Sequence, residues 1–417
     1  MRHERTRVTI VGGGVAALEA LLALRALAQE RVEVELVSPD PEFVYRPLAV
    51  AEPFGLGDAH RYDLVRIAED QNAVLHLAGV QAVQPEPARL VTWDGRSLGY
   101  ELLLLAIGAR ATVSIPGSVS IQGPGYTSRF RTVLRELEER RVRRVTFAVP
   151  SGASWPLPLY ELALLTGARV RERGLRKVEL RLVTPESEPL ELFGVRASAA
   201  VRELLAERGL VLYTSRVPIE ARDGELVTVP SGTVPAERVV SLPRLQGPAV
   251  PGLPQDQQGF IPVDVHSLVD GLADVYAAGD ATTCPIKQGG LAAQQADAAA
   301  AAIAARVGAP VGPEPFRPVL RGLLLTGGTP RYLRAEVSGG RGEDWDVSEH
   351  ALWWPPSKVA GRYLAPYLAL RHGTIEHPGA GIDVELDLGR DAVRRRVIIA
   401  PGTAGHATTI PLPPGEG

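Results

Sequence analysis

Residues 8–21, VTIVGGGVAALEAL, constrain the fold more than any other stretch. Arg7 to Val11 alternate and then end apolar, as a strand buried in a parallel sheet does. Gly12, Gly13 and Gly14 follow, Ala17 closes a GxGxxA pattern, and a periodic helix is predicted from Ala16 to about Gln29. Small residues at such a turn let the backbone come close to a dinucleotide pyrophosphate, whose charge meets the free N–H groups at the helix start. A second strand is predicted for VEVELVS, residues 32–38. The carboxylate that ordinarily holds a ribose at the end of that strand is displaced: Ser38 stands there, with Asp40 two positions on. The fold class is α/β.

At 417 residues the chain is too long for one ordinary core, and with 45% hydrophobic residues it can fill two or three. Forty-five Lys and Arg against 48 Asp and Glu leave a formal charge of -3, which argues against nucleic acid as a partner. No apolar stretch of signal-peptide length precedes the first strand and no run is long enough to span a bilayer, so a cytoplasmic protein is expected. The single cysteine, Cys284, excludes an intramolecular disulfide and any mechanism that needs a redox-active cysteine pair.

Two further motifs follow in order. DGRSLGYELLLLAIGAR, residues 94–110, ends an apolar strand on a glycine, and LADVYAAGDAT, residues 272–282, ends another on Gly279-Asp280 after the hairpin-like GFIPVDVHSLV. Together with the opening turn, these resemble the three signatures of the FAD-dependent pyridine nucleotide-disulfide oxidoreductases, flavoproteins with two dinucleotide-binding domains. The resemblance covers about residues 5–310 and implies bound FAD, with the aspartate accepting hydrogen bonds from the ribityl chain. It departs from the family at Ile107, where a threonine is usual. The cofactor-contacting positions it implies are Gly12, Gly14, Ala17, Ser38, Asp40, Val80, Ala106, Gly108, Gly279, Asp280, Gly289 and Gly290.

The same family carries a second such unit for NAD(P)H. Here its strand, RRVTFAVPSG at residues 143–152, runs into ASWPLPLYELALLTG, where Gly152, Trp155, Pro156 and Pro158 replace the glycine pattern. A pyrophosphate there would meet bulky side chains and missing N–H donors. The turn is similar to that of sulfide:quinone oxidoreductases and flavocytochrome c sulfide dehydrogenases in Pro158, Tyr160 and Glu161, but the cysteine of that pattern is absent, with Ser154 or Trp155 in its place. Sulfide oxidation is therefore not expected.

Near the expected flavin edge, Cys284 is a candidate reactive thiol, although a buried inert cysteine accounts for it better. PIKQGGLAAQQADAAAAAIAARVG, residues 285–308, reads as a turn and an Ala-rich helix from Leu291 to Arg306. The resemblance aims this helix at the flavin pyrimidine, where its dipole and Lys287 would favour anionic reduced flavin. Gln294 and Gln295 stand where type II NADH:quinone dehydrogenases keep a glutamine near quinone; ordinary polar helix positions explain them nearly as well.

Beyond residue 310, LLLTGGTPRYLRAEV (323–337) reads as two strands around a Gly-Gly turn, and ALWWPPSKVAGRYLAPYLALRHG (351–373) as an aromatic segment followed by a helix that Pro366 bends or restarts. Val359, Tyr363, Leu364, Tyr367 and Leu368 form an apolar stripe flanked by Lys358, Arg362 and Arg371. That composition suits a membrane interface, and a helix packed on its own protein or on a homodimer partner reads the same way. By resemblance to sulfide:quinone oxidoreductases, Lys358 would stand near flavin and quinone, with Trp353, Trp354, Tyr363 and Tyr367 forming an apolar mouth. The tail from Gly373 reads as a strand or two.

The expected organisation is a discontinuous FAD domain (residues 1–110 and 245–310), a degraded second Rossmann domain (111–244) and a C-terminal α+β interface domain (311–417). The leading expectation is a peripheral membrane oxidoreductase passing electrons from a small-molecule donor through FAD to a quinone, with Lys287, Lys358 and Cys284 as catalytic candidates. A soluble NAD(P)H-dependent reductase with an altered nicotinamide site and a flavin-binding protein without turnover are the alternatives.

Overall fold

The computed structural model describes residues 5–121, 125–230, 232–338, 341–372, 383–385 and 396–398. Its core is two parallel sheets of the same design. In the first, the strands run Val275–Ala277, Leu102–Leu105, Thr6–Val11, Val32–Ser38 and Val74–Leu77, all parallel. In the second the order is Val119–Ser120, Arg238–Ser241, Arg144–Ala148, Glu179–Val183 and Leu210–Tyr213, again all parallel. Continuous apolar runs make such strands because both faces are covered: all four residues of Leu102–Leu105 are buried.

Each sheet also carries a three-stranded antiparallel meander. The first unit's is Val80–Gln84, Arg89–Thr92 and Ser97–Gly99, and the second's is Val217–Arg222, Glu225–Val229 and Thr233–Pro235.

Helix α1 (Val15–Leu27) crosses from the first strand to the second and buries Leu18, Leu21 and Leu24 completely. Each of these contributes roughly 1.5–3 kcal/mol relative to exposure. Helix α2 (Leu64–Asp70) is capped by the Asp63 carboxylate, which accepts the Val65 N–H at 2.8 Å. Helices α3 (Tyr126–Glu138), α4 (Leu157–Glu172) and α5 (Val195–Glu207) dress the second sheet. Helix α6 (Gly289–Arg306) then returns to the first unit and packs on α1 through a shared core of small residues, Ala16, Ala20 and Ala23 against Ala292, Ala296, Ala299 and Ala300.

The strands Val319–Leu324, Arg331–Ser338 and Arg341–Ser348 form an antiparallel sheet that docks on the second unit through Leu320, Leu324 and Leu333. Helix α7 (Leu364–His372) lies back on the first unit. Pro366 falls in its first turn, where an N–H has no helical acceptor to lose, so it neither bends nor restarts the helix. Of the predicted tail, Asp383–Glu385 and Arg396–Ile398 pair antiparallel, and the rest lies outside the described residues.

Candidate functional site

The opening turn of the first unit is shaped by Gly12 and Gly14 in opposite ways. Gly12 has φ +133 and donates its N–H to the Val37 carbonyl at 2.8 Å, and a Cβ on it would stand 2.2 Å from the Ala106 carbonyl oxygen. Only glycine fits there. Gly14 caps α1 in extended conformation (φ -98, ψ -168), and a Cβ on it would meet no atom within 4 Å. The space in front of it is open, and no side chain caps the first N–H groups of α1. An anion is the natural partner of such a helix start.

Ala17 is fully buried in the core of α1, where its small size serves helix-on-sheet packing. Ser38 is also buried, with its hydroxyl donating to the Asp40 carbonyl at 2.9 Å, whereas Asp40 itself is exposed at the rim. Ala106 and Gly108 close the opposite side of the turn, and Val80 opens the first meander.

Across the sheet, Gly279 sits where α1 and α6 converge. A Cβ there would lie 3.2 Å from the Ala292 methyl and 3.3 Å from the Ala16 methyl, and its φ is +79. Gln295 locks this turn by accepting the Gly279 N–H at 2.8 Å and donating to the Thr282 hydroxyl at 3.2 Å. Asp280 follows, and among the described residues its carboxylate accepts no hydrogen bond. Burial pushes its pKa up and Lys287 pulls it back down. The Lys287 ammonium donates to the Thr282 carbonyl and sits 3.8 Å from the centre of the Phe260 ring, and burial lowers its pKa. Gln288 caps α6 by accepting the Leu291 N–H at 2.8 Å, ahead of Gly289 and Gly290.

The second unit repeats this plan with its seat filled. Pro156 occupies the cap position of α4, Pro158 lacks an N–H in its first turn, and the Leu159 N–H is taken by the Pro156 carbonyl at 3.0 Å. Trp155 stands edge-on to Phe193, with centroids 5.6 Å apart, at the turn where a phosphate would pass. Beyond the adjacent strand, Glu186 is held by the Tyr160 hydroxyl at 2.6 Å and the Thr184 hydroxyl at 2.8 Å. That carboxylate faces the protein's own tyrosine.

The family model for pyridine nucleotide-disulphide oxidoreductases matches residues 6–147, which hold the open seat. A sulfide-quinone reductase of Aquifex aeolicus (strain VF5) is 27% identical over 260 residues, 58% of this chain. The match spans 59% of that relative's length, less than two thirds of it. These matches support placing the chain with the FAD-dependent pyridine nucleotide-disulphide oxidoreductase group. Solved structures agree on the fold. The sulfide:quinone oxidoreductase from the hyperthermophilic bacterium Aquifex aeolicus superposes with TM-score 0.73 at 20% identity, covering 82% of this chain and 86% of the other. A putidaredoxin reductase, from its covalent complex with putidaredoxin, gives 0.59 at 18%, covering 80% and 82%.

The cofactor of this flavoprotein is FAD, and the seat fits it: an open space before Gly14, a bare helix start, and an unpaired carboxylate at Asp280 for hydroxyls. Cys284 is half-buried, its thiol pointing at the Ile286 carbonyl at 3.8 Å, and burial pushes its pKa up. A protonated, hydrogen-bonded thiol is a poor nucleophile, so the surroundings do not favour the reactive-thiol expectation.

The C-terminal segment corrects the expectation of an apolar mouth. Val359, Leu364 and Leu368 are buried, with Tyr363 and Tyr367 packed beside them, in the core that α1 and α6 share. The Tyr367 hydroxyl reaches Asp70 on α2 at 3.1 Å. Trp353 instead packs edge-on to Tyr332 of the C-terminal sheet, centroids 5.1 Å apart, and donates to the Ser357 carbonyl. Val359, Leu364 and Leu368 of the stripe therefore face the protein's own core, while Leu370 beyond them is exposed. No helix among the described residues is long and apolar enough to cross a membrane. Gln294 and Gln295 are likewise committed, the first pairing with both backbone groups of Val319 at 2.9 Å and the second with the Gly279 turn.

Lys358 lies 9% exposed and ion-paired at 2.5 Å with Glu161 of α4, which also accepts the Leu325 N–H at 2.9 Å. Its neighbour Val359 donates its N–H to the Tyr45 hydroxyl at 3.0 Å and leans on Gly289, where a Cβ would come within 2.9 Å of the valine. Residues 357–364 thus form a strap across the start of α6, tied to both units. The sequence reading missed two partners of this strap, Glu19 and Asp297. Each is the lone carboxylate in a largely apolar helix, VAALEALLAL and QADAAAAA, and that was the available signal.

Proposed function

We propose that the chain passes electrons from a donor other than NAD(P)H through FAD to a quinone-type acceptor. One contrast carries this: of two nucleotide seats with the same topology, the first is open at Gly14 and the second is filled by Trp155, Pro156 and Pro158. FAD, when bound, supplies a two-electron carrier that accepts from one partner and gives to another. Gly12 and Gly14 would admit its pyrophosphate, Asp280 would accept from its ribityl hydroxyls, and Asp40 would meet the adenosine end. Lys287 and the start of α6 place positive charge beside Asp280 and would favour the anionic reduced state. Lys358 would act at the same end through the strap. Cys284 has no part in this scheme.

NADH and NADPH are expected to reduce the flavin slowly, on the scale of minutes at micromolar concentrations. Stopped-flow absorbance checks this, and bleaching within seconds by either nucleotide would instead establish a nicotinamide reductase. Failure of every donor tried would favour a flavin-binding protein without turnover. Likeness to the sulfide-quinone reductase supports the quinone.

A small acidic protein is the second candidate acceptor, and helix α3 favours it. Glu136 is bound by Arg238 at 2.8 and 2.9 Å and Glu138 by Arg169 at 2.8 Å, which leaves Arg131 and Arg135 exposed around a hollow of about 390 Å³ shared with Ser128 and Thr132. Like charges four apart on a helix repel. The doubly charge-reversed variant R131E/R135E is expected to slow reoxidation by an acidic iron–sulfur carrier at low salt and leave reoxidation by a short-chain quinone unchanged. The quinone stands as acceptor if the carrier rate does not move.

A further inference from the structure

The strap is fastened by a pair of buried carboxyl groups that the proposed electron transfer does not use. Glu19, on α1, is fully buried, and its two oxygens accept the Tyr363 N–H at 2.7 Å and the Leu364 N–H at 2.8 Å. These are among the first N–H groups of α7, so the carboxylate satisfies orphan donors and meets the positive end of the helix dipole. Gly361 passes so close that a Cβ on it would lie 2.3 Å from a Glu19 oxygen.

Asp297, on α6, interacts with Glu19 from the other side, and its Oδ1 is buried without a hydrogen-bond partner. Two carboxylates in contact cannot both hold a charge without water. One proton must bridge them, and the backbone decides where it sits. Glu19 receives N–H donors that favour its anion, whereas Asp297 receives none and becomes the donor. The other ionisable groups facing the pair are Arg362 and Tyr363, both on the strap.

We propose that Glu19 and Asp297 are positioning residues, a proton-sharing latch that holds residues 357–372 over the start of α6 and releases them when the shared proton leaves. Release would uncover the Gly289 end of α6 and free Val359 from Tyr45, altering access to the flavin pyrimidine. Burial and the Glu19 charge push the Asp297 pKa up to about 9. A carboxyl raised in the folded state binds a proton that the unfolded chain has lost. Its contribution to latching is therefore complete below the ordinary carboxylate range, weakens as pH rises, and is gone above pH 9.

Amide hydrogen exchange read by mass spectrometry on the purified full chain tests this. In the native protein, the protection factor of peptides spanning 357–372 should fall by up to about tenfold per pH unit between about pH 5 and pH 9 and level off above that, while peptides of the Arg144–Ala148 strand keep theirs. Asp297→Asn retains a donor to Glu19 and removes the titration, so the strap should stay protected across the same range. If the native strap keeps an unchanged protection factor from about pH 5 to pH 9, or if Asp297→Asn loses protection over the same range as the native chain, the latch is refuted. The native titration decides even if the variant fails to fold. The measurement needs neither FAD nor turnover, so its failure is distinct from failure of the proposed electron transfer.

Discussion

Replacing Gly14 by valine is expected to give a folded protein that binds no FAD. The extended backbone at Gly14 suits any residue and a Cβ there meets no atom, so the fold loses only a favourable helix cap, about 1 kcal/mol. The isopropyl group would instead occupy the space before α1 that a pyrophosphate needs. The purified variant should lack visible flavin absorbance yet melt cooperatively near the temperature of native protein stripped of cofactor. Gly12→Ala is the contrasting control: its Cβ would drive into the Ala106 carbonyl at 2.2 Å with φ at +133, so instability of the fold itself is expected. A yellow Gly14→Val protein would show that the phosphates lie elsewhere.

The second large effect concerns the ion pair between Lys358 and Glu161. Both groups are buried, and burial pushes the pKa of Glu161 up and that of Lys358 down while each pulls the other back. Lys358→Met leaves a buried carboxylate facing only the Leu325 N–H, and breaking such a pair costs about 3–5 kcal/mol. A drop in denaturation midpoint of that size is expected by urea titration. The double variant E161Q/K358M keeps the acceptor for Leu325 and removes both charges, and it should recover most of the loss. If the single and double variants are equally destabilised, the lysine acts through the packing of its stem.

The first seat was legible in the sequence because its determinants are local. Gly12, Gly14 and the Gly279-Asp280 turn each sit within a few residues of the strand and helix they join, and the positive φ at Gly12 and Gly279 leaves little choice of residue. The turn of the second unit was legible for the same reason, since Trp155, Pro156 and Pro158 fall within four residues of one another. What covers an amphipathic face is a long-range property. The stripe from Val359 to Leu368 has the same spacing whether it meets lipid, a partner or α1, and the choice was made by Glu19, Tyr45 and Gly289, far away in the chain. Ser38 and Ala17 show a milder form of this: both are buried, and the Ser38 hydroxyl bonds the Asp40 carbonyl, a contact that the spacing of the motif does not specify.

The strap also bears on the order in which the chain can be completed as it is made. The second sheet is assembled from residues 119–241 and can close while synthesis continues. The first sheet waits for Val275–Ala277, and Glu19 remains an unanswered buried charge until Tyr363 and Leu364, 344 and 345 residues later, supply its donors. Contacts of such sequence separation form late. The first unit is therefore closed after the second, and on the proposed function capture of FAD follows the synthesis of Leu364.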